Sequence, residues 1–296
     1  MKITSIGEVL YDVYPDRKRL GGAPFNFIYH IKKITGKGNF ISSLGKDDNG
    51  KEILDYLTFA GFKTDNISID EQHPTGTVIV KLLEDKTPQF KIAPECSYDF
   101  IELNERTIEL IEKETDLLYF RTLSQRGKTT RNTIESLFNR NIKFFCDLNL
   151  RQDFFTKEMI KKALFASNVM KININELETL KTYFNLPDAP IKAVERLIHE
   201  FKIDLCCVTM GEEGALIHDR KSYNEYKGIP LKVIDTVGAG DAFASILAIG
   251  FLKNWNIEKI NKLANDFATV ICGIEGALPE KENIYHKFIR EFENDS

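Results

Sequence analysis

Several features are missing from this 296-residue chain, and each absence excludes a class of protein. Nowhere do about eighteen apolar residues run together without a charge, so no membrane-spanning helix is expected. The N-terminal stretch MKITSIGEVLYDVYPD carries acidic residues where a secretory leader needs an apolar core, which points to a cytoplasmic protein. Neither sign of charge dominates. Forty Lys and Arg against 44 Asp and Glu leave a net charge of −4 with no long block of either sign, so nothing advertises nucleic acid or an anionic membrane, and any anion site must be local. The five cysteines, at 96, 146, 206, 207 and 272, form no CxxC pair and no metal spacing with histidine. They lie in apolar runs such as KFFCDL and DLCCVTM and read as buried, protonated thiols. His30, His73, His199, His218 and His286 adjoin no nucleophile or ligand partner, so packing or surface roles are expected. Repeats, low-complexity tracts and Gly/Ser linkers are also absent, which leaves residues 1–296 as one domain.

What is present is an ordinary globular composition, 43% hydrophobic and 28% charged, which implies that the chain folds throughout. Short β-prone apolar runs (KITSIGEV, NFISSLG, DLLYF, KFFCDLN, NVMKIN and LCCVTM) recur between amphipathic stretches such as KEILDYLTFAGF, RNTIESLFNR and IKAVERLIHEF. Several of the runs show no polar/apolar alternation, as strands do when both faces are buried in a parallel sheet. The expected fold is therefore α/β, a doubly wound, mostly parallel sheet with helices on both faces. Residues 11–22 and 75–94 break the rhythm. The second segment alternates like a hairpin turning at Glu84 to Thr87, and the two are expected to form a small β lid over the crevice at the strand C-termini.

The stretch DTVGAGDAFASILAIGFL carries the most chemistry. A strand-like run leads to Gly238 and Gly240, and an apolar helix begins near Asp241. Glycines there let backbone N–H groups converge, and the free N–H groups of a first helical turn add partial positive charge, which suits a phosphate. No Gly-Lys-Ser/Thr follows, so a Walker A loop is excluded, and Phe243 stands where a dinucleotide fingerprint needs its third glycine. Asp241 reads either as an acidic residue favoured by the helix dipole or as a carboxylate that accepts the proton of an attacking hydroxyl during phosphoryl transfer.

Other segments hold polar groups at element junctions. GGAPFN (21–26) opens a helix with Pro24 in its first turn and offers the Asn26 amide to the crevice. DLNLR (147–151) ends a strand with Asp147 and Asn149, and Arg151 is either a surface residue or a planar fork for a substrate and a phosphate. NINE (173–176) is either a capping box or a polar pair facing a ligand. VTMGEEGALIHD reads as strand, turn and strand. GKDDNGKE is more simply a helix start.

DTVGAGDAF resembles the C-terminal signature of the ribokinase-like (PfkB) sugar kinases. GGAPFN, DLNLR, NINE, VTMGEEGA, the pair Ala264–Asn265 and GALP (276–279) agree with it in order across nearly the whole chain. The resemblance implies transfer of the γ-phosphoryl group of Mg-ATP to a sugar hydroxyl, with Asp241 as general base and the amides of Gly238, Ala239, Gly240 and Asp241 as anion hole. It implies a sugar held by Asp12, Gly21, Gly22 and Asn26, with Asp147, Asn149 and Arg151 nearby and Arg151 bridging to the γ-phosphate. Asn173, Thr209, Gly211, Gly214 and Asn265 would border the nucleotide together with the loop glycines. Glu176 would reach Mg²⁺ through water, and a monovalent cation such as K⁺ would lie near the carbonyls of Asp235, Val237 and Gly276. The wording GGAPFN is similar to fructokinases, although a small residue is usual where Phe25 stands. Fructose is the expected acceptor, with 2-keto-3-deoxygluconate, ribose or a nucleoside as alternatives, and a non-catalytic sugar sensor as the alternative of another class. Exposed lid strands usually need covering, so a homodimer joined through the lids is expected.

Overall fold

The computed structural model describes residues 1–82, 88–228 and 233–294. Thirteen strands occur among them: β1 Ile3–Ile6, β2 Leu10–Val13, β3 Lys18–Gly21, β4 Asn39–Gly45, β5 Ile67–Asp70, β6 Gly76–Leu82, β7 Pro88–Ile92, β8 Leu117–Arg121, β9 Lys143–Asp147, β10 Val169–Asn173, β11 Leu205–Thr209, β12 Gly214–His218 and β13 Tyr223–Lys227. The helices are α1 Ala23–Thr35, α2 Asp48–Phe59, α3 Glu105–Glu114, α4 Lys128–Leu137, α5 Lys157–Ala166, α6 Ile174–Phe184, α7 Pro190–Phe201, α8 Ala239–Leu252, α9 Ile257–Cys272 and α10 His286–Glu293. Every apolar run singled out in the sequence forms a strand of one nine-stranded sheet, ordered β13-β12-β11-β10-β9-β8-β1-β4-β5. The seven strands from β11 to β5 are parallel, and β12 and β13 turn antiparallel at one edge.

The missing alternation has the expected cause. In β8, Leu117 and Tyr119 join the core on one face, while Leu118 and Phe120 join the core on the other. The first face is covered by α1, α8 and α9, the second by α4 to α7. Helix α8 is apolar on all sides and buried from Asp241 to Gly250, so it runs through the interior, and its N-terminus opens at the C-terminal edge of the sheet. Strand β1 pairs with β4 on one side and β8 on the other, which sets the reversal of strand order, and hence the crevice, beside β1 and β8.

The two segments expected outside the main sheet form a separate four-stranded sheet, ordered β3-β2-β6-β7. The turn expected at Glu84 to Thr87 lies outside the described residues. One expectation needs correcting: residues 233–237, read as strand-like, are irregular, because Ile234 N–H bonds the Cys272 carbonyl at 2.9 Å, at the end of α9, instead of joining a sheet. Phe25 turns out to be core. It is fully buried among Tyr29, Phe40, Tyr56 and Phe62, so its bulk fills the interior and not the crevice. His30 is buried against Tyr285 at 2.9 Å, and burial pushes its pKa down to about 3, so it stays a neutral packing residue.

Candidate active site

The loop entering α8 owes its shape to Asp235, whose carboxylate accepts hydrogen bonds from the N–H groups of Val237 and Gly276, both at 3.0 Å. Gly238 then adopts φ 82° and caps the helix. A Cβ on Gly238 would stand 2.4 Å from the Cβ of Ala277, so both the left-handed turn and the close approach require glycine. Of the four amides expected to form an anion hole, that of Ala239 is bonded to the Thr236 carbonyl (3.3 Å) and that of Asp241 to the Gly238 carbonyl (3.1 Å), so an anion would share them with the loop. A Cβ on Gly240 would lie 3.5 Å from the Lys171 Nζ, which puts an ammonium group beside the helix N-terminus.

Beneath the loop lies a row of charges that follows from strand register. Arg121, the last residue of β8, is aligned with Asp147 of β9, which is aligned with Lys171 of β10, so the three side chains share one face, under α8. All three are buried. Arg121 Nη2 lies 3.3 Å from Asp147 Oδ2 and Nη1 2.9 Å from Asp241 Oδ1, and Lys171 Nζ lies 3.0 Å from Asp147 Oδ1. Tyr119 donates its hydroxyl to Asp147 at 3.1 Å, and Asn26 donates its amide to Asp241 Oδ2 at 2.8 Å. Burial would raise the pKa of Asp147, but Arg121 and Lys171 outweigh it and hold that carboxyl below its ordinary value. For Asp241 burial prevails over the Arg121 charge and the Asn26 bond, and its pKa is raised, which makes it a stronger base than an ordinary carboxylate. Glu8, just past β1, accepts from the Ser124 hydroxyl at 2.6 Å and is also raised by burial. Asn26 Oδ1 is buried without a partner among the described residues, an acceptor that suits a ligand hydroxyl.

The small sheet brings Asp12 to the same crevice. A Cβ on Gly21 would lie 3.0 Å from Asp12 Oδ2, and Gly22, at φ 104°, passes so close to the backbone of Glu8 and Val9 that no side chain fits. Arg19 of β3 reaches Asp235 at 3.4 Å and also pairs with Glu275. Burial, and then the Asp235 charge, push Asp12 up to about 6, with Arg19 opposing. Ionised Asp12 offers two oxygens that accept only, with charge-assisted strength, whereas protonation turns one of them into a donor and weakens the other. If Asp12 holds a polyhydroxylated ligand, its affinity is therefore expected to be full well above pH 6 and to fall as pH drops through it. The pH dependence of the acceptor KM checks this; Asp12→Asn should flatten it.

Around the rim, Asn173 and Glu176 form the capping box: Asn173 Oδ1 accepts from Glu176 N–H at 2.9 Å and Glu176 Oε2 from Asn173 N–H at 2.8 Å. Glu176 Oε1 also accepts from Leu150 N–H at 2.8 Å, which ties the DLNLR loop to α6. Asn149 takes a left-handed φ of 42° in that loop, and Arg151 is exposed at its end. Thr209 stands in register with Asn173 on the neighbouring strand, followed by the turn at Gly211–Glu213 and Gly214. Asn265 donates its amide to the Oδ1 (2.9 Å) and carbonyl (2.8 Å) of Asn261, leaving its own oxygen as the group available to a ligand. The structure thus joins Asp241, Asn26 and Asp147 in one network. Sequence reading missed Arg121 and Lys171, which tie the row together, and Tyr119 and Glu8 beside them. The signal was available for two of them: LLYFR and VMKIN each place a cation in an otherwise apolar strand. Among the described residues no group of three or more His, Cys, Asp or Glu is placed to hold a metal, and no helix is long and apolar enough to cross a membrane.

A doubly wound sheet whose C-terminal edge meets a glycine-turned helix N-terminus, a buried carboxylate and buried cations belongs to the α/β enzymes that handle phosphorylated ligands. The family model for pfkB family carbohydrate kinase matches residues 2–283, and the chain belongs to that family. It is therefore a phosphotransferase acting on a sugar hydroxyl. The chain is 25% identical over 310 residues to a fructokinase of Salmonella typhimurium, covering 97% of this chain and 99% of that one. The crystal structure of an uncharacterized sugar kinase of Pyrococcus horikoshii superposes with a TM-score of 0.83 at 25% identity, covering 98% and 99% of the two chains. A fructokinase of Xylella fastidiosa with bound ATP shares the fold, with a TM-score of 0.84 at 21% identity and 98% of each chain covered.

Proposed function

We propose that this sugar kinase is an ATP-dependent fructokinase forming fructose 6-phosphate, with Asp241 as its general base. The observation that carries the assignment of the base is the placement of Asp241: buried in the first turn of α8, with one oxygen on Asn26 and the other on Arg121. In the proposed step the acceptor oxygen forms a bond to the γ-phosphorus, the bond to the bridging oxygen breaks with its electron pair leaving on ADP, and the hydroxyl proton passes to the Asp241 carboxylate. The raised pKa of Asp241 favours that transfer.

Asp12 and the unpaired Asn26 Oδ1 would accept from sugar hydroxyls at the faces formed by Gly21 and Gly22. Amides of the Gly238–Asp241 turn and the Lys171 ammonium would steady the migrating phosphoryl group, and Arg151 would close on it from the DLNLR loop. Asn173, Thr209, Gly211, Gly214 and Asn265 would border the nucleotide. Mg²⁺ supplies charge neutralisation on the phosphates when bound; both Glu176 oxygens already accept backbone N–H bonds, so this carboxylate would hold the ion through water, in keeping with how Mg²⁺ is usually bound. A K⁺ ion would use the carbonyls of Asp235, Val237 and Gly276. The small sheet would act as a lid that excludes water from the acceptor site. Ile79, exposed on the face of that sheet opposite Asp12, supports the lid-to-lid homodimer, which sedimentation of the purified chain checks.

An uncharged acceptor is favoured because Arg121 and Lys171 are already matched by Asp147 and Asp241. The fructokinase names of the relatives support fructose in particular. A panel of fructose, ribose, 2-keto-3-deoxygluconate and nucleosides, assayed by ADP release, tests this. Fructose should give the highest kcat/KM, and a preference for the carboxylated sugar would overturn the assignment.

A further inference from the structure

Arg121 is a buried cation in the crevice whose presence neither the anion loop nor the sugar-contacting residues explain. It ends a strand that is otherwise apolar and is almost fully buried. A guanidinium in the interior is costly to desolvate, and burying an ion pair seldom improves stability over apolar packing, so its retention asks for a use. Neutralising Asp147 is only part of that use, although Arg121 is the largest of the charges that hold that carboxyl down. Asp147 already has Lys171 at 3.0 Å and the Tyr119 hydroxyl at 3.1 Å, and the Arg121 contact to it is the longest of the three, at 3.3 Å. The shorter arm of the fork, at 2.9 Å, goes to Asp241, whose other short contact is the neutral Asn26 amide. Arg121 Nε is buried and has no partner among the described residues, so the fork is oriented by these two carboxylates.

We propose that Arg121 is a positioning residue for phosphoryl transfer: anchored through Nη2 on Asp147, it holds the Asp241 carboxylate through Nη1 so that this group stays ionised and aimed while buried. The inference rests on the assignment of Asp241 as base. Two planar contacts fix the carboxylate plane, since Asn26 takes Oδ2 and Arg121 takes Oδ1, while each oxygen keeps a lone pair for the acceptor hydroxyl. The charged and titratable groups facing Asp241 are Arg121 from β8, Tyr119 beside it, Asp147 from β9, Lys171 from β10, Glu8 after β1 and Arg151 from the loop after β9; Asn26 of α1 is neutral. Among them Arg121 is the largest influence that favours the ionised carboxylate, in opposition to burial. When the hydroxyl proton arrives, the Arg121–Asp241 attraction weakens and Asp147 retains the guanidinium, so the fork need not move during the step.

The experiment compares kcat against pH for the wild-type chain, Arg121→Gln, Arg121→Lys and Asp241→Asn, with ATP affinity and melting temperature measured on each. Loss of the cation beside Asp241 should move the acid limb of the Arg121→Gln profile upward by about one pH unit or more, with kcat depressed most at low pH and ATP affinity retained. Arg121→Lys should restore the position of the limb in part, since an ammonium keeps the charge without the fork. A Gln variant that is folded and binds ATP, but whose limb and kcat match the wild type, overturns the proposal. So does a Lys variant whose limb stays with that of Gln. Retained turnover in Asp241→Asn would instead remove the assignment of the base, whatever the Arg121 variants show.

Discussion

Asp241→Asn is expected to lower kcat by about 10²–10⁴-fold, the range that a positioned acid–base group contributes, while leaving ATP affinity nearly unchanged. The structure makes this substitution a clean one. The Asn side-chain oxygen can keep the Arg121 bond, and the new amide group, standing where Oδ2 was, can donate to the Asn26 Oδ1 once the Asn26 amide turns over, so neither partner need be orphaned. What disappears is the ability to take a proton. Steady-state kinetics with nucleotide binding measured by calorimetry separate the two outcomes, and a parallel collapse of ATP affinity would mean that Asp241 supports the loop and does no chemistry.

Gly238→Ala is expected to do the second-largest damage, and of a different kind. A left-handed conformation costs an L-residue about 1–2 kcal/mol, and crowding a closed packing site adds about 1–3 kcal/mol. At Gly238 both apply, because φ is 82° and the new methyl would stand 2.4 Å from the Ala277 Cβ. Relief requires either the GALP segment or the first turn of α8 to shift, and both border the Asp235 network. The melting temperature should fall and KM for ATP should rise, together with a loss of kcat. Gly240→Ala is the contrasting control. Its Cβ would meet nothing closer than the Lys171 Nζ at 3.5 Å, so stability should survive even where phosphate binding does not.

Much of this arrangement was legible in the sequence, for physical reasons that differ from element to element. The parallel strands could be read because burial on both faces leaves runs such as LLYFR and KFFCD almost without polar alternation. The loop at Gly238 could be read because backbone convergence at a helix start leaves glycine little competition. The strand-like run before it misled, because its apolar residues serve a loop that is pinned to the end of α9. Phe25 stood in a segment associated with sugar contact, yet the helical turn carries its ring into the core, a direction that position alone does not give. The charge row was hardest. Arg121, Asp147 and Lys171 lie far apart in the chain, and only the registers of β8, β9 and β10 bring them to one level. A single cation in a buried strand hints at a partner without saying which.

The contact between Arg19 and the Asp235–Glu275 pair couples the two halves of the crevice. One end belongs to the sheet that carries Asp12, the other to the turn that feeds α8, so the contact joins the sites proposed for the sugar and the nucleotide. Any factor by which an occupied sugar site tightens nucleotide binding through that contact must equal the factor by which bound nucleotide tightens sugar binding, because linkage between binding events runs equally in both directions.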